Sequence, residues 1–198
     1  MSGIISHDAA QDWVRLGATN PYFGVLSDAR FHGRALDEDL RGEFFASGHR
    51  HVAALTETLH RCFGAFERGT ALDFGCGVGR ISQALAGTFA QVVGLDVSPG
   101  MLAEARRNAA QAGVTNAEYR DSTAPGSIPP GSFDLVHSYI VLQHIPVAVG
   151  EPIIEQLIAA VRSGGIGALH VTITPAQRPL AVAVRNLVKR NRDRKSVV

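Results

Sequence analysis

The chain has 198 residues, 45% of them hydrophobic, enough to bury one sizeable core and too few for two, so it reads as one domain with an N-terminal extension. The formal charge of +1 is uneven: residues 185–198 carry six basic side chains against Asp193, which leaves residues 1–184 at −4 and without a general basic surface for nucleic acid. The N-terminus has no leader composition, no apolar run nears the roughly 20 residues of a membrane span, and Cys62 and Cys76 lack metal-ligand spacing; a cytoplasmic protein with reduced thiols and no metal is expected.

Residues 1–47 form an extension rich in aromatics ("DWVRLGATNPYFGVLSD"), expected to be helical. "HVAALTETLHRCF" places Val52, Leu55, Leu59, Cys62 and Phe63 at helical spacing and predicts a helix packed on a sheet. "TALDF" (70–74) is a first strand and "GRISQALAG" a short helix ending at Gly87, where a left-handed residue is accommodated. "AQVVGLD" (90–96) is a second strand; Ser98 and Pro99 then supply an N-cap and a first-turn proline for a helix to Gly113. "NAEYRD" (116–121) is a third strand, and "FDLVHSYI" (133–140) a fourth whose consecutive apolar residues suit a sheet covered on both faces. Pro152 opens a helix with Ile153, Ile154, Leu157, Ile158 and Val161 on one face, Gly164 and Gly165 end it, and "IGALHVTIT" (166–174) is a fifth strand. "RPLAVAVRNLVKR" reads as an amphipathic helix, and residues 191–198 as a basic tail. This alternation predicts an α/β protein, a Rossmann-like parallel sheet with helices on both faces, with a main domain over residues 48–190.

The stretch "ALDFGCGVGR" (71–80) puts Asp73 before glycines at 75, 77 and 79. A dinucleotide fingerprint needs a third glycine at position 80, which is Arg80, and a P-loop needs a Gly-Lys-Ser/Thr that does not follow. A phosphate at the helix start would be attracted by the amides and repelled by Asp73, whereas a ligand carrying both an ammonium group and a carboxylate resolves that conflict.

These residues resemble the class I S-adenosylmethionine-dependent methyltransferases, in particular bacterial domains of types 11, 12 and 25, over about 100 residues from Ala71 to Thr172. "LDFGCGVGR" is similar to the family's first motif, which implies donor contacts from Asp73, Gly75, Cys76, Gly77 and Gly79, with Arg80 reaching the donor carboxylate. Asp96 matches the acid that bonds the ribose hydroxyls, with Val97 and Met101 beside it; Met101 and Leu102 could equally be core. Asp121 matches the acid that reads the adenine amino group, with Ser122 adjacent. "FDLVHSYIVLQHIP" looks like the fourth-strand motif, whose exit from His137 to His144 borders donor and acceptor and includes Ser138. His144 with Gln143 is the candidate general base, against the alternative of a backbone cap; His137 reads as a satisfied core residue. Ser163-Gly164-Gly165 stands where the family has proline-glycine-glycine, and no antiparallel hairpin of strands six and seven is evident after Thr174.

The resemblance implies S-adenosyl-L-methionine as cofactor and methyl transfer to an oxygen, nitrogen or carbon of a small-molecule acceptor entering near Tyr139 to His144. The acceptor determinants are expected in residues 1–47 and the loops 122–132 and 139–150. Rival expectations are an inactive remnant that has lost the hairpin, a nucleic-acid methyltransferase anchored by the tail, and a nicotinamide oxidoreductase.

Overall fold

A computed structural model describes residues 5–32, 36–172 and 196–197. Strands β1 (Thr70–Phe74), β2 (Gln91–Asp96), β3 (Ala117–Asp121), β4 (Phe133–Ser138), β5 (Val161–Leu169) and β6 (Ser196–Val197) form one parallel sheet in the order β3-β2-β1-β4-β5-β6. The order reverses between β1 and β4, and in such sheets ligands bind in the crevice at the carboxyl ends of those strands.

Parallel pairing sets which side chains share a face. Ala71 lies opposite Leu135 and Asp73 opposite His137, while Leu72 lies opposite Val136. The Leu72 face packs with Phe74, Ile154, Leu157 and Ile158. The Ala71 face packs with Val52, Leu59, Ile81 and Leu85, so Asp73 and His137 point toward the helices that carry those residues. Each of these large side chains contributes about 1.5–3 kcal/mol by leaving water, which fixes the register against a one-residue slip.

The helices are α1 (Ile5–Thr19), α2 (Pro21–Val25), α3 (Glu38–Phe63), α4 (Arg80–Ala86), α5 (Pro99–Gln111) and α6 (Val147–Ala160). α3 is twice as long as its apolar spacing indicates. Asp37 caps it by accepting the Leu40 amide, Glu38 and Asp39 favour its first turn, and it runs unbroken through residues 47 and 48. The expected cap of α5 is present, with Ser98 accepting the Met101 amide and Gly113 left-handed beyond the end.

Several boundaries differ from expectation. Gly87 is right-handed (φ −74°), because the chain tightens after α4 through bonds from Gly87, Thr88 and Phe89 to the carbonyls of Ala84 and Leu85, which turns Phe89 into the core. α6 begins at Val147, and Pro152 sits inside it; Pro146 sets the start by accepting the Val149 and Gly150 amides. β4 stops at Ser138, two residues early, because Ile140 leaves the strand with φ +58°. β5 begins at Val161, ahead of the glycine pair: register shifts between Phe133 and Leu135, and a Cβ on Gly165 would meet the Phe133 and Asp134 carbonyls at 2.9 Å.

Two residues of the expected tail, Ser196 and Val197, are instead a short strand paired in parallel with Ile166 and Gly167 of β5. Among the described residues no antiparallel strand borders β5. The expected helix at 178–190 and the last residues of the expected fifth strand lie outside the described residues.

The N-terminal helices close over the carboxyl end of the sheet. Tyr22, Phe31, Phe44, Val78 and Met101 form their own buried cluster. Contact between α1 and α5 is close enough that a Cβ on Gly17 would strike the Ser98 hydroxyl at 2.2 Å, and one on Gly100 the Gly17 carbonyl at 2.7 Å. Asn108 ties the layers together by donating to the Val78 carbonyl and accepting from Tyr22 and Arg41.

Candidate functional site

The turn after β1 is built from left-handed glycines, with φ of +77° at Gly75, +54° at Gly77 and +84° at Gly79. Each also permits a close approach: a Cβ would lie 2.2 Å from Val141 at Gly75, 2.6 Å from Val25 at Gly77 and 2.8 Å from the Tyr119 hydroxyl at Gly79. The first two glycines thus admit the 139–145 loop and α2; the third serves packing of α4 on β3.

Four amides of this loop are already committed. Those of Gly75 and Cys76 donate to the Leu95 carbonyl (2.7 and 3.0 Å), that of Gly77 to the Asp96 carboxylate (2.9 Å) and that of Gly79 to the Cys76 carbonyl (3.0 Å). A phosphate cradle needs converging, unpaired N–H groups. The turn therefore offers a ligand bare backbone surface rather than an anion nest.

A cavity of about 650 Å³ lies over this turn. Asp73, Gly75, Cys76, Gly77, Arg80, Asp96, Val97, Met101, Ser122 and His144 all line it, so ten of the expected site residues converge. Three do not. Gly79 faces Tyr119, and Ser138 is buried with its hydroxyl donating to the Phe74 carbonyl. Asp121 folds back on its own loop, where one oxygen accepts both the amide and the hydroxyl of Thr123 at 2.7 Å. Leu102 belongs to the core beneath α5.

Within the cavity the charged groups are held in distinct ways. Asp96 accepts the amides of Gly77 and Ser98, one on each oxygen; burial pushes its pKa above the usual carboxylate range against the pull of those two bonds. Arg80 is 6% exposed, donates to the Ser47 hydroxyl at 3.2 Å and has no partner for Nε; burial lowers its pKa while Asp73 and Tyr139 oppose the shift. Cys76 is buried and its thiol is pushed well up by burial and by Asp96 and Asp73, so it acts as wall and not as nucleophile.

Asp73 is 2% exposed and takes part in a hydrogen-bonded chain that sequence reasoning missed. One oxygen accepts the Ser82 hydroxyl at 2.6 Å, the other meets Nδ1 of His137 at 2.9 Å, and Nε2 of His137 meets Nε2 of His51 at 3.1 Å. His137 is a satisfied core residue, as expected. The contribution of His51 from α3 depends on how that helix crosses the sheet and has no sequence signal.

The other end of the cavity is apolar, with Trp13, Ile128, Ile140, Val141, Ile145 and Val149 among its walls. Trp13 on α1 stands edge-on to His144, ring centroids 5.3 Å apart. Gln143 accepts from the Thr172 hydroxyl, which turns its amide nitrogen toward Nε2 of His144 at 3.3 Å. Ile140, in the left-handed region where β-branched residues are strained, also lines the cavity; its amide meets Nδ1 of His170 at 3.3 Å.

Sheet order, switch-point cavity and glycine turn define a Rossmann-like methyltransferase fold. Residues 71–165 match the type 25 methyltransferase domain. Ubiquinone biosynthesis O-methyltransferases are among the curated relatives. That of Sodalis glossinidius is 35% identical over 109 residues, 54% of this chain and 43% of the relative; that of a Methylobacterium species is 37% identical over 116 residues, 58% and 45%. The chain thus spans less than half the length of the curated relatives it matches.

Solved structures share the fold at low identity. Phosphoethanolamine N-methyltransferase 1 of Haemonchus contortus superposes with a TM-score of 0.58 at 17% identity, covering 83% of this chain and 32% of that one. Magnesium protoporphyrin IX methyltransferase of Synechocystis PCC 6803, with bound SAM, gives 0.54 at 20%, covering 82% and 75%. The cyclase SpnF gives 0.52 at 19%, covering 68% and 55%, so the fold alone does not set the reaction.

Proposed function

We propose that the chain binds S-adenosylmethionine and methylates a hydroxyl group on a small acceptor with an apolar body. The observation that carries this reading is the single cavity joining the glycine turn and Asp96 to the apolar chamber beside His144. Its volume suits a nucleoside-sized donor and a modest acceptor side by side.

The residues present fit the donor. The Asp73 carboxylate and the Arg80 side chain would serve its ammonium and carboxylate, Asp96 has lone pairs left for two ribose hydroxyls, and Val97, Met101 and Ser122 would flank the base. Asp121, bonded to Thr123, serves as a loop cap. The donor supplies an electrophilic methyl group on a sulfonium centre. The chain's own contribution is to orient the acceptor oxygen and exclude water, which supplies most of the acceleration when the leaving group departs neutral. His144 would take the acceptor proton on Nε2 once the Gln143 amide gives way.

The relatives' names favour oxygen over nitrogen or carbon as the acceptor atom, and the apolar walls favour a phenol with a hydrocarbon substituent. The absence of any helix among the described residues long and apolar enough to cross a membrane agrees with a cytoplasmic site of action. The test is calorimetric titration with S-adenosylmethionine and S-adenosylhomocysteine, followed by an assay of S-adenosylhomocysteine release with catechols of increasing alkyl length. Binding with turnover that improves with alkyl length supports the reading; an unfolding temperature unmoved by either nucleoside overturns it. Binding of a nicotinamide cofactor instead would restore the oxidoreductase alternative.

A further inference from the structure

The hydrogen-bonded chain from Ser82 to His51 crosses four elements and passes through the acid that opens the glycine turn. Asp73 and His137 are register partners on β1 and β4, so their side chains leave the sheet on the same face and meet there. Ser82 on α4 and His51 on α3 approach from above.

The direction of each bond follows from valence. With Asp73 as the carboxylate it only accepts, so Nδ1 of His137 donates to it; in the neutral tautomer Nε2 of His137 accepts from Nε2–H of His51. Burial, with His137 and Arg80 nearby, pushes the His51 pKa down to about 4, so His51 stays neutral at physiological pH. Asp73 thus has two bonds, one on each oxygen, that fix its plane. A carboxylate held this way keeps lone pairs and its negative charge for a cationic group in the cavity that it lines.

We infer that His137 and His51 are positioning residues for the amino-acid end of the methyl donor, holding Asp73 oriented toward its ammonium group. The inference rests on the donor assignment proposed above. It assigns function to two histidines that touch neither donor nor acceptor, in the way that outer partners orient metal ligands.

The test uses the full chain and two probes that differ at one end. S-adenosylhomocysteine carries the ammonium and carboxylate groups; 5′-methylthioadenosine lacks both. Calorimetry is run on the wild type, His137→Phe, His137→Asn and His51→Leu. His137→Phe is expected to weaken S-adenosylhomocysteine about tenfold, the effect of one charge-assisted hydrogen bond, while methylthioadenosine changes less than about twofold. His137→Asn, whose amide can replace Nδ1 toward Asp73, recovers most of the loss. His51→Leu, at a half-buried helix position, gives a smaller loss on the same probe alone and stands in if His137→Phe does not fold. Equal weakening of both probes, or of neither, overturns the positioning role while leaving the donor assignment intact. A wild-type chain that binds neither probe overturns both.

Discussion

The Asp96 carboxylate accepts the Gly77 amide at 2.9 Å, so the acid at the end of β2 closes the turn that follows β1. The same side chain that would hold the donor's ribose also consumes the amide that could have received a phosphate. Donor preference and loop shape are therefore one interaction.

That bond makes donor binding depend on pH. Burial raises the Asp96 pKa in the folded protein, and the ribose hydroxyls need the carboxylate as acceptor, so affinity should fall as pH drops through that raised value. The effect on stability has the opposite sign. An acid whose pKa is raised by folding disfavours the folded state as pH rises from the unfolded value to the folded one. Calorimetric titration across pH 4–7 should show the affinity slope in the wild type and a flat, weaker profile in Asp96→Asn. Wild-type affinity in Asp96→Ala would remove the ribose assignment.

His51 supplies a second pH dependence. Its pKa falls from 6.5 to about 4 on folding, so the unfolded chain binds more protons between those values. Stability from this group is complete above pH 6.5 and is lost as pH falls toward 4. Thermal melts should show a drop of a few degrees over that window that is reduced in His51→Gln. An identical drop in the variant would assign the acid sensitivity elsewhere.

Gly75 has both a left-handed backbone and no room for a side chain, since a Cβ would lie 2.2 Å from Val141. Gly75→Ala should cost about 2–4 kcal/mol, strain and overpacking together, and lower the melting temperature accordingly. Gly113→Ala has the same backbone sign with open space around it, and should cost about 1–2 kcal/mol. Equal losses at the two positions would show that contact with the 139–145 loop contributes nothing.

Trp13 stands edge-on to His144, and both line the cavity. Trp13→Ala should raise the acceptor KM with the donor Kd unchanged, because Trp13 lies on the apolar side. His144→Gln should lower kcat by about 100-fold if Nε2 takes the acceptor proton. An unchanged kcat would leave His144 as wall alone.

Much of the fold was legible because local rules and the global fold agree along residues 70–121. Ser98, Pro99 and Gly113 bound α5 as their chemistry requires, and the acid-then-glycine pattern marked the turn that the donor site is built on. Agreement failed where a competing local signal was read first. Pro152 looked like a helix start because prolines favour first turns, yet Pro146 already terminates the preceding segment and α6 begins there. Asp121 and Asp96 lie opposite each other at adjacent strand ends, and Asp121 bonds the amide and hydroxyl of Thr123 through one oxygen, a contact that no spacing in the sequence announces.

By itself the sequence determined the parallel sheet, the turn after β1 and ten of the residues that line the cavity over it, since those depend on spacing within a few residues. Tertiary structure alone decided what closes the cavity and what holds Asp73. Trp13, Val25 and His51 reach the site from α1, α2 and α3 through packing against glycines and through strand register. Contacts between residues 30 to 130 positions apart are set by how whole elements stack, and no local pattern encodes them.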